Sequence, residues 1–330
     1  QGVSSAASDV YKRQDVVHLN NIQYHLTPSI ILEINKWRKE TKKECKIVYT
    51  THDYQLVCPS HGMFDVDMKP CERCLDGHYI HCLQTKCLKN SRAKSLLGTL
   101  DGYMWKYSKA YSYVDAYISC SYFLKSKLDT QKRFRDKTIG LHNFKKEMPH
   151  LDNIQKKGYV LEFGHLSRDK GTDTLLEVAK KMSNTEFVFI GYGPSVDKMK
   201  DIPNVKYLGF KTGEELYRII AEAAISVCPS EWYENCPYSV MESVLLGTPV
   251  VGSKMGGIPE LIEPGKTGEL FEAGNVEDLM KAIKKVLQTQ DVLERYTKNC
   301  SQVKYETTES YYIKLMKIYR GEKNVEQISS

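Results

Sequence analysis

Two glutamates lie in the segment of the chain that carries the most chemical information, Pro229–Ser243. Glu234 falls in a predicted strand-to-helix loop and Glu242 inside the helix that follows. Open α/β sheets bind ligands at the carboxyl ends of their strands, and a helix start there offers N–H groups to phosphate, so both carboxylates are expected in one crevice. Carboxylates accept hydrogen bonds from sugar or ribose hydroxyls. Two isolated glutamates would more often be solvent-exposed, so the surrounding sequence has to decide.

A second group of reactive side chains lies in a cysteine-rich insert, residues 58–87. The insert contains C-x2-C, C-x7-C and C-x4-C spacings through Cys58, Cys71, Cys74, Cys82 and Cys87. A closely spaced thiolate pair can bind one metal and a second pair can complete a tetrahedron, so we expect structural zinc on four of the five. Buried free thiols are the alternative, and a catalytic metal or a disulfide ranks behind both. Three histidines are spare ligands: His61, His78 and His81.

Strand-like and helix-like segments alternate around these residues. From Tyr159 onward short apolar runs alternate with amphipathic segments, which indicates βαβ units and a parallel sheet covered on both faces. Thr212 and Glu215 have the spacing of a capping box. Pro237 suits a first helical position, with Gly247 just beyond the end of that helix. A shorter alternation fills the first half, where a helix from Pro28 to Arg38 is expected to be capped by Thr27.

The size of the chain indicates two domains. A chain of 330 residues, 41% of them hydrophobic, is long for one core. We expect a first α/β domain at 15–150, a polar linker near its end, and a second domain with terminal helices at 151–330. Residues 1–14 are interpreted as a foreign junction or a disordered tail. The first domain shows only about four strands, fewer than a doubly wound domain has, and is therefore expected to be truncated.

The composition limits the partners and the compartment. The chain has no apolar run long enough to cross a bilayer and no secretory signal, and it has ten cysteines, so we expect a cytoplasmic protein. The net charge is +6, with the excess concentrated between Lys86 and Lys146. Such a basic segment is compatible with binding to nucleic acid, to an anionic membrane or to a phosphorylated substrate, and also with a solvated surface that binds no partner. Within this basic segment, the predicted helix Ser91–Ser108 either rests on the inner face of an anionic membrane or packs on its own sheet.

The segments around the two glutamates match a known family in order and spacing. Glu234 and Glu242 form the E-x7-E pattern of family 4 (group 1) retaining glycosyltransferases, which this chain resembles. Four further segments resemble family motifs: Phe163–Gly171, Gly191–Pro194, Val205–Phe210 and Gly256–Leu261. The resemblance covers nearly all of residues 158–287. It implies the GT-B fold, an α/β architecture in which two Rossmann-like domains face each other across a cleft.

The resemblance also implies roles for individual residues. Glu234 would contact the donor sugar, Glu242 the ribose hydroxyls, and Lys170 the diphosphate, whose charge grows as the glycosidic bond breaks. His52, at the end of a strand in the first half, would be catalytic together with Glu234. His18 and Asn20 are weaker candidates. The full donor-binding set is Gly164, His165, Arg168, Lys170, Tyr238, Ser239 and Glu242.

One position departs from the family pattern. The family usually has arginine where this chain has His165. Arg168 is the residue that would compensate for the missing guanidinium. His165 would either add a pH-sensitive charge near the phosphate or be a loop histidine with only structural hydrogen bonds.

The implied activity is transfer of a sugar from a nucleoside-diphosphate sugar to a hydroxyl of a glycan or lipid-linked acceptor, with retention of configuration. Surface polysaccharide or glycoconjugate biosynthesis is the expected setting, with no cofactor required for catalysis and no nucleic acid bound. Two alternatives stand beside it. They are a nucleotide-sugar epimerase of similar fold and a zinc-stabilised nucleic-acid-binding protein, whose binding would weaken steeply with salt.

Overall fold

A computed structural model describes residues 14–22 and 26–322. The chain divides into two compact units. The first contains the described residues up to Asp67, together with Cys71–His142 and those from Glu309 onward, and the second contains Met68–Pro70 and Asn143–Thr308. The opening segment 1–14, interpreted above as a junction or a tail, lies outside the described residues apart from Gln14.

The first unit is built on four parallel strands whose order in the sheet follows the chain. From Ile47 to Thr51 no residue is more than 3% exposed, because the second strand is central and covered on both faces. The strands are β1 (Val16–Asn20), β2 (Lys46–Thr51), β3 (Ala116–Ser119) and β4 (Thr138–Gly140). The helices are α1 (Ser29–Thr41), α2 (Ile80–Thr85), α3 (Arg92–Tyr107), α4 (Tyr122–Leu128) and α5 (Lys132–Arg135).

Helix α3 exposes an apolar face. Ser95 and Thr99 are buried on its inner side, whereas five large apolar residues point outward with exposed fractions between 44% and 74%. They recur at helical spacing and so form one stripe: Leu96, Leu97, Leu100, Met104 and Tyr107. The helix therefore packs on its unit through Ser95, Thr99 and Tyr103 and leaves this apolar stripe exposed to solvent. Among residues 14–22 and 26–322, no helix combines the length and the hydropathy needed to cross a bilayer.

The second unit is a six-stranded parallel sheet in the order β10-β9-β8-β5-β6-β7. Counted from β5 this is the Rossmann order, with the switch point between β5 and β8. The strands are β5 (Val160–His165), β6 (Phe187–Tyr192), β7 (Val205–Tyr207), β8 (Ile225–Cys228), β9 (Val250–Ser253) and β10 (Gly268–Phe271). The helices that follow are α6 (Thr172–Lys181), α7 (Gly213–Glu222), α8 (Tyr238–Leu245), α9 (Ile258–Leu261), α10 (Val276–Val286), α11 (Gln290–Cys300) and α12 (Thr308–Arg320).

Separate apolar clusters cover the two faces of this sheet. Successive strand residues point to opposite faces, so Val160 joins the cluster beneath α6 and α10 while Leu161 joins the cluster beneath α7. The same alternation places Phe187 and Phe189 on the first face and Val188 on the second. The predicted α/β fold with two Rossmann-like domains is confirmed.

Two predicted helix caps are wrong. The Thr212 side chain makes no cap hydrogen bond to α7, and Glu215 pairs instead with Lys211 at 2.6 Å, because an ammonium is a stronger donor than a backbone N–H. Thr27 does not cap α1 either; its hydroxyl bonds to that of Ser29 at 2.8 Å. Gly247 does follow the end of α8, with a φ of +73°, as a glycine after a helix often does.

The last helix belongs with the first sheet. The sequence assigned the terminal helices to a second domain, 151–330, whereas the structure ends that unit at Thr308. On α12, Ile318 is 2% exposed and packs with Val48 and Ile118 of the first sheet. Tyr319 bonds to His18 at 2.7 Å. The reason is that α12 carries the apolar residues that cover one face of that sheet, which local periodicity cannot assign to a particular partner.

Replacing Ile318 by Ala should lower the free energy of unfolding of the first unit by about 2 to 5 kcal/mol, since the change leaves a cavity against Val48 and Ile118. The matched control is Ile313→Ala on the same helix, where the side chain is 42% exposed and the change should stay within about 0.5 kcal/mol. Urea unfolding of both variants measures the difference. Equal losses in the two would contradict the packing of α12 on this sheet.

Candidate functional site

An open cavity of about 350 Å³ lies at the switch point of the second sheet. The loops after β5 and β8 form its two sides, since these neighbouring strands send their following connections in opposite directions. The β5 side contributes Phe163, Gly164, His165 and Lys170; the β8 side contributes Pro229, Ser230, Glu234, Pro237, Ser239 and Glu242. Cation, carboxylates and hydroxyls are thus gathered at one sheet edge.

Lys170 and Glu234 form the first ion pair of this cavity. The Lys170 ammonium contacts Glu234 Oε1 at 2.6 Å, and the Ser230 hydroxyl donates to the same oxygen at 3.1 Å. The ammonium also stands 5.0 Å from the ring centroid of Trp232, within reach of a cation–π interaction. A ligand that binds the Lys170 ammonium therefore either shares it with the Glu234 carboxylate or displaces that carboxylate from it.

Glycines hold the loops that carry this pair. Gly171 follows Lys170 with a φ of +78°, and a Cβ there would lie 1.9 Å from the Pro229 carbonyl oxygen. A Cβ on Gly256 would come equally close to the Glu234 carbonyl oxygen, which accepts from the Gly257 N–H at 2.7 Å. The two glycine motifs thus bring backbone into contact where any side chain would force it apart.

Glu242 and Lys145 form the second ion pair. Lys145 lies just inside the second unit, and its ammonium contacts Glu242 Oε1 and stands 5.4 Å from the centroid of the Tyr238 ring. The two side chains of the pair are 19% and 14% exposed. Sequence analysis missed Lys145, because it lies 97 residues before Glu242 and in no motif.

Helix α8 begins between these pairs. Pro237 is its N-cap residue and supplies no side-chain cap, and Pro237 and Ser239 at this helix start both line the cavity. The positive end of the helix dipole favours an anion at this point. Together with Lys170 it makes the cavity suited to a phosphate group.

The predicted donor-binding residues fall into two sets. Five of them line the cavity: Gly164, His165, Lys170, Ser239 and Glu242. Arg168 and Tyr238 do not. Arg168 is exposed at the tip of the loop, and Tyr238 lies beside Lys145. That the first five bind a donor stays a prediction; the structure brings them together.

Glu162 is a buried carboxyl that sequence analysis did not single out. It lines the cavity, is 4% exposed and accepts from the Thr172 hydroxyl at 2.7 Å. Its other oxygen is buried without a hydrogen-bond partner. Burial raises the pKa of Glu162 to about 8, against the opposing Thr172 hydrogen bond, so the group is mostly neutral at pH 7. The signal in the sequence was a charged residue inside an apolar strand.

An exposed aromatic row adjoins the cavity at the ends of β5, β6 and β7. The His165 and Tyr192 rings are 5.4 Å apart, and those of Tyr192 and Phe210 are 6.0 Å apart, centroid to centroid. Tyr192 and Phe210 are 62% and 65% exposed. Sequence analysis singled out His165 and included Tyr192 and Phe210 only as parts of motifs. The row offers flat apolar surface on which a ligand ring can stack.

In the first unit, the predicted catalytic His52 follows β2. Its side chain is exposed, and Nε2 lies 3.2 Å from Asn20 Oδ1. Partial desolvation lowers its pKa, which keeps the imidazole neutral at pH 7. His18, a weaker candidate, has both ring nitrogens engaged in hydrogen bonds, with Thr50 at 2.7 Å and with Tyr319.

The cysteine-rich insert gives no support to the zinc hypothesis. No group of three or more histidine, cysteine or acidic side chains among the described residues is arranged to hold a metal ion. The closest thiol contact there is between Cys82 and Cys87, at 2.9 Å, which lowers the pKa of Cys87 to about 7. Cys58 bonds to the Ser60 hydroxyl at 3.2 Å instead. All five cysteines, Cys58, Cys71, Cys74, Cys82 and Cys87, are free thiols.

The fold and the cavity define the class: an α/β protein of GT-B type, in which the second of two Rossmann-like domains carries an anion-suited cavity at its switch point. Residues 143–303 match the family described as glycosyl transferases group 1. This match lies within the second unit and covers just under half of the chain.

Known proteins similar to this chain have related descriptions. Sulfoquinovosyl transferase SQD2 of Arabidopsis thaliana is 32% identical over 42% of this chain and 28% of its own length. Amylovoran biosynthesis glycosyltransferase AmsK of Erwinia amylovora is 30% identical over 46% of this chain and 41% of its own length. The chain thus spans less than half of either relative.

Among solved structures, Anabaena HepE in complex with UDP covers 97% of this chain and 82% of its own, with a TM-score of 0.68 and 15% identity. At that identity the similarity shows the fold alone. It extends over both units of the chain, beyond the segment that matches the family.

The raised pKa of Glu162 gives a pH prediction. Because the folded pKa lies near 8, above the ordinary 4.5, the folded state retains a proton that the unfolded chain has released. Stability contributed by this group should therefore fall as the pH rises from about 4.5 to about 8 and level off above. Urea unfolding at several pH values should show this decline in the parent protein and a shallower one in Glu162→Gln. Exposed Glu186→Gln is the control, and a slope unchanged by Glu162→Gln would refute the assignment.

Proposed function

We propose that this chain is a retaining glycosyltransferase that moves a sugar from a nucleoside diphosphate to a hydroxyl group. The observation that carries the proposal is the Lys170–Glu234 pair beside the start of α8. A cation, an open helix N-terminus and carboxylates in one cavity suit a ligand that is anionic at one end and rich in hydroxyls at the other. A nucleotide sugar has both ends.

Each group has a role in this reaction. Lys170 and the α8 N–H groups would bind the diphosphate and stabilise the charge that it gains on leaving. Glu242 would accept from the ribose hydroxyls. Glu234, released from Lys170 when the diphosphate binds, would contact the donor sugar with His52. These protein groups supply the charge that the step needs.

Retention follows in the proposal from a same-face route. The oxygen of the acceptor hydroxyl attacks the anomeric carbon while the departing phosphate oxygen takes its proton. The new bond therefore forms on the face from which the nucleotide leaves. The ion pairs matter here because a preorganised cation adds more in a cavity that excludes water than in solution.

The relatives suggest where to look for substrates. The HepE structure contains UDP, and AmsK belongs to amylovoran biosynthesis, so UDP-sugars and glycan or lipid-linked acceptors are the first to test. The exposed row of His165, Tyr192 and Phe210 would stack against the base. Nothing in the comparisons favours the epimerase or the nucleic-acid-binding alternative.

Lys170→Met should weaken nucleotide binding by about 1.5 to 3 kcal/mol, the size of a hydrogen bond to a charged group. Calorimetry with whichever of UDP, GDP and ADP binds most tightly measures the loss. Lys180→Met is the control, since that lysine pairs with Glu177 on the outer side of α6. Equal affinities in the parent and Lys170→Met would remove Lys170 from the site.

We further propose that the apolar stripe of α3 rests on an anionic membrane, where lipid-linked acceptors would be reached. Basic residues border the stripe: Lys89, Arg92, Lys94 and Lys109 are all exposed. An exposed apolar face with a basic border fits a surface of anionic headgroups better than it fits water, because it buries the apolar side chains and pairs the cations.

Leu100→Asp should lower binding to vesicles of phosphatidylcholine and phosphatidylglycerol by at least about tenfold, through loss of buried apolar area and charge repulsion. Leu26→Asp is the matched control, since both leucines are 56% exposed. Co-sedimentation measures the bound fraction. Binding that ignores phosphatidylglycerol content and salt, or that falls equally in both variants, would overturn the membrane proposal.

A further inference from the structure

Lys145 links the chain that enters the second unit to the cavity. Its backbone N–H donates to the Glu306 carbonyl at 2.9 Å, which fixes the segment. Its ammonium contacts Glu242 Oε1 above the ring of Tyr238. The side chain is therefore held at its base, at its tip and along one face.

This ion pair matters for the orientation of the Glu242 carboxylate. The Glu242 side chain is 14% exposed, and the Lys145 ammonium fixes the position of its Oε1 through a charge-assisted hydrogen bond. The contact also uses only part of the acceptor capacity of the carboxylate, which has about four lone-pair directions. The remaining capacity is available to a ligand in the cavity that Glu242 lines.

Lys145 itself stands behind Glu242. Glu242 and Lys170 line the cavity, whereas Lys145 does not. The cation of the first pair is thus placed to touch a ligand, and the cation of the second pair is placed to act through its carboxylate. The two ion pairs look alike but have different access to the ligand.

We propose that Lys145 is a positioning residue that holds the Glu242 carboxylate oriented to accept hydrogen bonds from the ribose hydroxyls of a nucleoside diphosphate. The inference rests on the proposed function, because it takes the cavity to be the nucleotide site. It gives Lys145, which lies outside every motif of the second domain, an indirect role in ribose recognition through Glu242.

The test compares a nucleotide with its 2′,3′-dideoxy form. Calorimetry first ranks UDP, GDP and ADP on the parent protein, and the tightest binder is used beside its dideoxy analogue, which lacks the hydroxyls. The parent should prefer the hydroxylated form by about tenfold or more. Lys145→Met should reduce that preference to within about threefold, with the dideoxy affinity little changed. Lys145→Arg should restore most of it.

Two further variants sharpen the test. In Glu242→Gln the preference should fall as in Lys145→Met, and the double variant should be no worse than either, because both act on one interaction. Lys146→Met is the matched control, an exposed neighbour on the same segment, and should keep the parent preference. Circular dichroism confirms that each variant is folded, and Lys145→Arg gives the answer should Lys145→Met fail to fold.

Each contrary outcome has its own meaning. Equal losses for the two ligands in Lys145→Met would show that Lys145 acts on the phosphates or on folding, and an unchanged preference would show no role; either overturns the inference. A parent protein without any preference would remove Glu242 from the ribose and overturn it as well. Failure of UDP, GDP and ADP alike to bind the parent would instead count against the proposed function.

Discussion

Strands β5 and β8 are neighbours in the second sheet although two other strands separate them in the chain. Their connections leave in opposite directions, so a crevice opens between them at the carboxyl edge. The Lys170 loop lies on one side of that crevice, and the Glu234 loop and the start of α8 lie on the other. Without the reversal of strand order these groups would not face one another, and the Lys170–Glu234 pair would not form across the crevice.

Charge compensation is the second organising feature of the site. Two partly buried carboxylates, Glu234 and Glu242, each have a lysine partner, while the third, Glu162, has only a hydroxyl and keeps its proton near neutral pH. Burial disfavours an unpaired charge. The cavity therefore holds two ion pairs and one neutral acid, and an incoming anion meets Lys170, whose carboxylate partner Glu234 can be exchanged for it.

In the first unit, one helix has an exposed apolar face that is distinct from the face by which it packs on its unit. Helix α3 faces its own unit with Ser95, Thr99 and Tyr103 and faces solvent with its apolar stripe. A hydrophobic pattern records an apolar face but not what covers it. For α12 the cover is the first sheet, although the chain reaches it only after completing the second unit.

The sequence by itself determined the fold class, the alternation of elements and the segment that contains Glu234 and Glu242, since strand and helix periodicity are local properties. It did not determine that α12 returns to the first sheet, that Lys145 pairs with Glu242, or that Thr212 leaves α7 uncapped. It also suggested a metal shell in the insert for which the structure gives no support. Those features depend on contacts between residues far apart in the chain or on competition among nearby donors, which only tertiary packing decides.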